Sequence, residues 1–302
     1  MQKTLIVVGG PTAIGKTALG IQLAQHFSTE IISADSRQFY RELEIGTAKP
    51  SAEELGQAKH HFVNNLSIQD DYSVGQFERE VLEKLEELFQ TNDVVIMVGG
   101  SGLFVRVIAE GLDDFPVIDK SIRENLNQEM KEKGIEVLQE RLKKLDIETY
   151  NSMDIQNSQR LVRALEMCEG TGKPFSYFKN RKKPERPFNV IQIGLNTERE
   201  ILYDRISLRV DLMVEKGLVE EAKQFVAYRN SYALRTVGYQ ELFGYFDGET
   251  TEEETIELIK RNTRRFAKRQ ITWFKKEKGI EWFEANDLEG VLKHIITKLD
   301  EL

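Results

Sequence analysis

The chain has 302 residues, 40% hydrophobic and 30% charged, with a formal net charge of −8 at pH 7. That is enough length for one large domain or two small ones around a sizeable core. No apolar run approaches membrane-spanning length and no basic, apolar leader precedes the first strand, so a soluble, cytoplasmic protein that does not contact a membrane is expected. The single cysteine, Cys168, excludes an internal disulfide and a Cys-based zinc site and reads as a small buried side chain on a helix.

In chain order, Thr4 to Val8 is a buried-strand signal. Directly behind it stands Gly10-Pro11-Thr12-Ala13-Ile14-Gly15-Lys16-Thr17, the phosphate-loop pattern G-x-x-x-x-G-K-[ST], and a helical pattern follows over Ala18 to Phe27. Glycines let the backbone turn tightly and bring its N–H groups to an anion. Lys16 adds a point charge, the Thr17 hydroxyl suits Mg²⁺, and the helix directs its positive end at the same spot. The loop predicts a site for a di- or triphosphate and leaves open whose phosphate it is.

A second short strand, Glu30 to Ala34, ends at Asp35. Strand, loop, helix and strand within this length make a right-handed βαβ unit and hence a parallel sheet, whose ligands collect at the carboxyl ends of the strands. Asp35 is therefore a candidate catalytic carboxylate; by position alone it serves equally well as a turn cap. A loop-rich stretch follows, with Ser51 as N-cap of a short helix and His60-His61 expected to be structural. Ser73 opens an amphipathic helix whose apolar residues Phe77, Val81, Leu85 and Leu88 account for core packing.

Asp93 to Val98 is the next parallel strand, and it runs into Gly99-Gly100-Ser101-Gly102 where a hydrolytic phosphate-loop ATPase carries an acidic residue. Local pattern favours Ser101 as a helix cap over a substrate contact. From Asp113 the alternation of strand and helix stops. Arg123 to Lys133, Ile135 to Leu145 and Ser158 to Glu169 have helical periodicity, and a strand returns at Phe188 to Leu195. The expected architecture is α/β: a parallel-sheet core flanked by helices, residues 1–113 and 188–302, with an all-helical insertion, residues 114–187.

The remainder is mostly helical. Arg205 and Arg209 fall on one helix face, Arg235 to Gln240 is a turn entering a helix, and Thr255 to Lys276 is a long basic helix. A last strand at Gly279 to Phe283 and a final helix at Leu288 to Leu299 close the pattern. Two basic clusters stand out against the acidic total: Lys179, Arg181, Lys182, Lys183 and Arg186, then Lys260 to Lys278. The acidic total argues against indiscriminate nucleic-acid binding, while such clusters suit a phosphate backbone.

Several blocks together resemble the bacterial tRNA dimethylallyltransferases (tRNA isopentenyltransferases), over nearly the whole chain. They are the phosphate loop, Ser33 to Gln38 with Ile45 to Pro50, Val98 to Leu103, Gln159 to Glu166, Arg235 to Tyr239, and Ala267 to Trp273. The resemblance implies transfer of a dimethylallyl group from its diphosphate to N6 of adenosine 37, beside the tRNA anticodon, by a monomer. It implies that Asp35 is the general base and that Lys16 and Ser101 belong to the catalytic group, Ser101 standing where the family usually has Thr. Gly10 to Thr17 (Gly10, Pro11, Thr12, Ala13, Ile14, Gly15, Lys16, Thr17) would bind the diphosphate with Mg²⁺ on Thr17, joined by Arg205 and Arg209, with the choice between these two open. The tRNA anticodon stem-loop would meet Asp35, Ser36, Arg37, Gln38, Ser101, Arg123, Gln159, Arg160, Leu161, Val162, Arg163, Arg235, Thr236, Val237, Gly238, Tyr239 and Gln240. Ile14 replaces a common Ser or Thr and Phe104 a frequent Tyr. A small-molecule kinase using the loop for ATP, and a nucleotide-gated RNA-binding module, are the competing readings.

Overall fold

The computed structural model describes residues 2–113, 115–179 and 185–302, so Asp114 at the expected domain boundary and Arg181, Lys182 and Lys183 of the first basic cluster lie outside the described residues. The chain divides into two compact units, Met1–Ala109 with Arg186–Leu302, and Glu110–Glu185.

The first unit is built on six parallel strands: β1 (Thr4–Gly9), β2 (Ile31–Ser33), β3 (His60–His61), β4 (Val94–Gly99), β5 (Asn189–Asn196) and β6 (Ile280–Glu284), in the order β3-β2-β4-β1-β5-β6. β1 is buried at every residue. A parallel sheet covered on both faces explains why its sequence is a continuous apolar run with no polar alternation. The register brings three strand ends level: Gly9 is opposite Gly99, and Ser33 is opposite Val98. With neighbouring strands about 4.8 Å apart, the loops leaving β1, β4 and β2 emerge within roughly 10 Å of one another.

The helices of this unit before the excursion are α1 (Lys16–His26), α2 (Ala52–Gln57), α3 (Val74–Leu88) and α4 (Gly102–Glu110). The expected starts at Ser51 and Ser73 are capping boxes. Each serine accepts the N–H three residues on, and Glu54 or Gln76 accepts the serine's own N–H in return.

The second unit contains α5 (Lys120–Lys133), α6 (Ile135–Leu145), α7 (Ile147–Ser152), α8 (Ser158–Thr171) and α9 (Ser176–Lys179). Its core is the periodic apolar set read from the sequence, including Leu126, Leu138, Leu142, Leu161 and Leu165, with Cys168 buried among them. The short α7 and α9 show too little periodicity to predict. Buried Asp146 holds them by accepting the N–H and hydroxyl of both Thr149 and Ser176.

The chain then completes the first unit with α10 (Arg199–Glu215), α11 (Leu218–Gln224), α12 (Tyr239–Phe246), α13 (Glu252–Phe274) and α14 (Leu288–Asp300). A second apolar cluster packs Val210, Leu218, Leu242 and Ile259 around Tyr40, Leu43 and the fully buried Tyr239. That cluster stands behind one wall of the site.

Candidate active site

At the carboxyl edge of the sheet the three level loops surround a cavity of about 640 Å³, lined by Lys16, Thr17, Asp35, Gln38, Arg205 and Arg209 among others. The phosphate loop has the required form. Gly15 takes a left-handed conformation, φ 109°, as the residue before α1, and no side chain caps that helix. Its first N–H groups are therefore available to an anion, beside Lys16 and Thr17.

The floor of the cavity sets two largely desolvated cations, Lys16 and Arg209, around the Asp35 carboxylate. The Lys16 ammonium donates to the Pro11 carbonyl at 2.7 Å. Burial lowers its pKa from 10.5 to about 8, with Asp35 pulling upward and Arg209 pushing down. Burial likewise lowers the Arg209 guanidinium from its usual value, against the attraction of Asp35. Arg209 donates to the Ala48 carbonyl at 3.4 Å and Arg205, more exposed, to the Ile14 carbonyl at 3.3 Å. Both arginines face the cavity, with Arg209 in the charge cluster around Asp35.

Asp35 closes the turn, as its position allowed, and also borders the cavity. One oxygen, Oδ1, accepts the Arg37 N–H at 3.1 Å and closes the turn after β2. No hydrogen bond to the other oxygen is found among the described residues, and the side chain borders the cavity. Ser101 stands just before α4, as expected, its carbonyl accepting the Phe104 and Val105 N–H groups at 2.8 and 3.1 Å. Among the described residues its Oγ makes no cap bond to the helix and is turned to Ser36, accepting that N–H at 3.1 Å and lying 3.2 Å from that hydroxyl. The β2–β4 pairing brings residues 36 and 101 together, which local pattern does not reveal.

The residues expected to meet RNA sort by burial. Tyr239, Leu161 and Val162 are corrected to core residues, because their side chains are buried at 0%, 0% and 3% exposure. Gly238 is buried as well, its N–H held by Glu241. Arg37 is already engaged: its guanidinium donates to the carbonyls of Tyr232, Ala233 and Arg235 and lies 4.7 Å from the Tyr232 ring centre, fastening that loop. Gln38 faces the cavity and donates to Ala48. Arg235 and Gln240 are exposed, with Thr236 and Val237 half-buried. In the second unit Gln159 and Arg160 are exposed, while Arg123 and Arg163 each donate at 2.8 Å to the buried Glu166. One carboxylate thus orients two arginines and leaves both partly open to solvent.

The cavity is also lined by residues that sequence reading did not assign to the site. His60, expected to be only structural, also lines it, and burial lowers its pKa, favouring the neutral ring. Met213 and Phe266 give the wall an apolar part, and Gln270 completes the floor. Glu221, nearly buried behind the wall, accepts the N–H groups of Glu44, Ile45 and Gly46 and the Tyr239 hydroxyl. Nothing local marks Glu221, since its three backbone donors are 175 to 177 residues away and Tyr239 is 18 away. Glu221→Ala leaves those donors without their acceptor, so a loss of roughly 3 kcal/mol or more is expected. Thermal unfolding should show a midpoint lower by roughly 5–10 °C; an unchanged midpoint would contradict this role.

A parallel sheet with a phosphate loop and an adjacent carboxylate at its carboxyl edge defines an α/β protein of the phosphate-loop class. The family model described as IPP transferase matches residues 38–277. The tRNA dimethylallyltransferase of Christiangramia forsetii is 55% identical over 301 residues, 99% of this chain and 100% of that one. That of Flavobacterium johnsoniae is 52% identical over 98% of each. Among solved structures, the full-length tRNA isopentenylpyrophosphate transferase of Bacillus halodurans superposes with a TM-score of 0.75 at 34% identity, over 99% of this chain and 98% of that one. A eukaryotic dimethylallyltransferase acting on tRNA gives 0.82 at 29% identity, over 95% of this chain and 75% of that one. The chain belongs to the IPP transferase family, the tRNA dimethylallyltransferases.

Proposed function

We propose that this protein transfers a dimethylallyl group from dimethylallyl diphosphate to N6 of adenosine 37, next to the tRNA anticodon, releasing diphosphate. The observation that carries this reading is one cavity bordered both by the cationic floor, Lys16 with Arg209, and by the Asp35 carboxylate. The floor suits a leaving group that gathers charge, and the carboxylate suits an amine that must lose a proton.

In the transfer, the N6 nitrogen forms a bond to the allylic carbon as the carbon–oxygen bond breaks, and diphosphate departs with that electron pair. The N6 proton passes to Asp35. Lys16, Arg205, Arg209 and the start of α1 stabilise the departing anion more strongly as charge builds on it. The adenine is stacked in the free anticodon loop and has to be turned out to reach the allylic carbon. Ser101, tied to Ser36, orients the nucleophile side, and the apolar wall of Met213 and Phe266 suits the hydrocarbon and limits water.

Mg²⁺ fits these residues. It usually keeps several waters and takes one or two protein oxygens along with substrate phosphates, and the Thr17 hydroxyl beside the loop offers one such oxygen. When bound, it would neutralise diphosphate charge. No group of three or more metal-ligating side chains occurs among the described residues, so an all-protein cage is not what is proposed.

Arg123, Gln159, Arg160 and Arg163 are the proposed tRNA contacts of the second unit, and Ser36, Gln38, Arg235 and Gln240 those of the first. The reading carries with it a monomer working in the cytoplasm; among the described residues no helix is long and apolar enough to cross a membrane. Arg163→Ala should weaken tRNA binding by roughly 5- to 20-fold, with a shallower salt dependence. Titrations of the anticodon stem-loop at two salt concentrations check this, and unchanged affinity would remove Arg163 from the interface. The function itself is tested by incubating the protein with labelled dimethylallyl diphosphate and unmodified tRNA and locating the label by nucleoside analysis. Label on N6 of adenosine 37 is the expected result. Phosphate transfer from ATP, with the prenyl donor untouched, would replace this reading with the kinase.

A further inference from the structure

Two parts of the site have to be held at a fixed separation for an in-line transfer, and the chain builds them as separate loops. The first part is the pair of turns after β2 and β4. Ser36 N–H is held by Ser101 Oγ at 3.1 Å, and Ser101 N–H by the Ala34 carbonyl at 3.3 Å, so these turns form one body that carries Asp35. The second part is the phosphate loop. Beyond the last sheet pair, Gly9 with Gly99, the hydrogen bonds found between the two parts among the described residues run through one side chain from far along the chain.

That side chain is Gln270 of α13, only 7% exposed. Its Oε1 accepts the Thr12 N–H at 2.8 Å, and its Nε2 donates to the Gly100 carbonyl at 2.9 Å. Turning the amide over would set oxygen against carbonyl and N–H against N–H, so one orientation is enforced. The helix presses closely along this edge. A Cβ added to Gly9, Gly100 or Gly102 would lie 2.7, 2.4 or 2.2 Å from Phe274, Gln270 or Trp273 respectively. Thr12 spends its N–H on Gln270, which withdraws that one donor of the loop from anion binding.

We propose that Gln270 is a positioning residue for the transfer step, fixing the phosphate loop that holds the leaving group relative to the Asp35–Ser101 body that holds the nucleophile. The inference rests on the reading under Proposed function. Each body keeps its own binding groups without the amide, so losing the bridge separates rate from affinity. Displacements near 1 Å cost about 100-fold in rate.

The test compares wild type with Gln270→Met, similar in length and volume without the amide, and Gln270→Glu, which keeps the acceptor for Thr12 but turns an oxygen toward the Gly100 carbonyl. Each is assayed for kcat and for KM with dimethylallyl diphosphate and with unmodified tRNA. Binding of inorganic diphosphate by calorimetry and thermal unfolding complete the set. The expected result for Gln270→Met is a kcat lower by about 30- to 100-fold, with both KM values and the diphosphate Kd within about threefold of wild type. Gln270→Glu should lose at least as much, and the same comparison decides the matter if the Met variant does not fold. A folded variant with kcat within threefold of wild type overturns the inference. So does a diphosphate Kd that rises in step with the loss of rate, since Gln270 then only keeps the loop intact. A wild type that transfers no dimethylallyl group overturns the transfer reading and this inference with it, whereas an active wild type with unimpaired variants overturns this inference alone.

Discussion

Asp35→Asn is expected to lower the rate constant for dimethylallyl transfer by about 10²- to 10⁴-fold, the range for removing a positioned general base. The amide keeps an oxygen for the Arg37 N–H, so the turn after β2 survives, while the lone pair that receives the N6 proton is lost. Removing the carboxylate also removes a negative charge near Lys16 and Arg209. Inorganic diphosphate should accordingly bind as tightly as to wild type or more tightly. Single-turnover assays with labelled donor and saturating tRNA, alongside diphosphate titration, separate the two effects. Transfer within threefold of wild type would assign the proton to another acceptor and reduce Asp35 to its turn.

Lys16→Met acts on the other side of the reaction. The ammonium neutralises charge in the bound diphosphate and more so as the bond to carbon breaks, so losses of roughly 10²- to 10³-fold in kcat/KM are expected. Affinity for tRNA alone should be nearly unchanged, because Lys16 sits on the cavity floor. A pH signature accompanies the loss. With a pKa of about 8, Lys16 in the free protein is charged below that pH and increasingly neutral above it. Diphosphate favours the ammonium, so binding takes up a proton above pH 8 and weakens as pH rises through that value, while below it this dependence disappears. Titrating diphosphate between pH 6.5 and 9.5 should show this component in wild type and not in Lys16→Met. The same slope in both proteins would rule Lys16 out as its source.

How legible the fold was depended on whether the signal was local. β1 and β4 are unbroken apolar runs because both faces of a parallel sheet are covered, and such runs can be read directly. Capping boxes at Ser51 and Ser73 mark helix starts within four residues. The short α7 and α9 escaped because a buried aspartate, and no periodic apolar face, holds them in place.

For the site, the phosphate loop was legible because its pattern is contiguous and each residue type has a stated physical task. Ser101 was read as opening a helix, which it does, but the turn of its hydroxyl to Ser36 was not legible because that partner lies 65 residues away. Tyr239, Leu161 and Val162 fell within segments assigned to RNA contact, since a segment does not show which of its side chains turn inward.

By itself, then, the sequence determined the parallel α/β core, the phosphate loop, the helical excursion and the candidate carboxylate Asp35, all of which are written in residues near one another. Only the tertiary structure decided that Asp35 uses one oxygen for its turn and borders the cavity, that Arg209 belongs to its charge cluster, and that Glu221 and Gln270 hold the surrounding loops. The physical reason is that hydrogen-bond acceptors and buried charges act over about 3 to 6 Å in space, whatever their separation along the chain. Gln270 lies 258 residues from Thr12, and folding alone brings them within 2.8 Å.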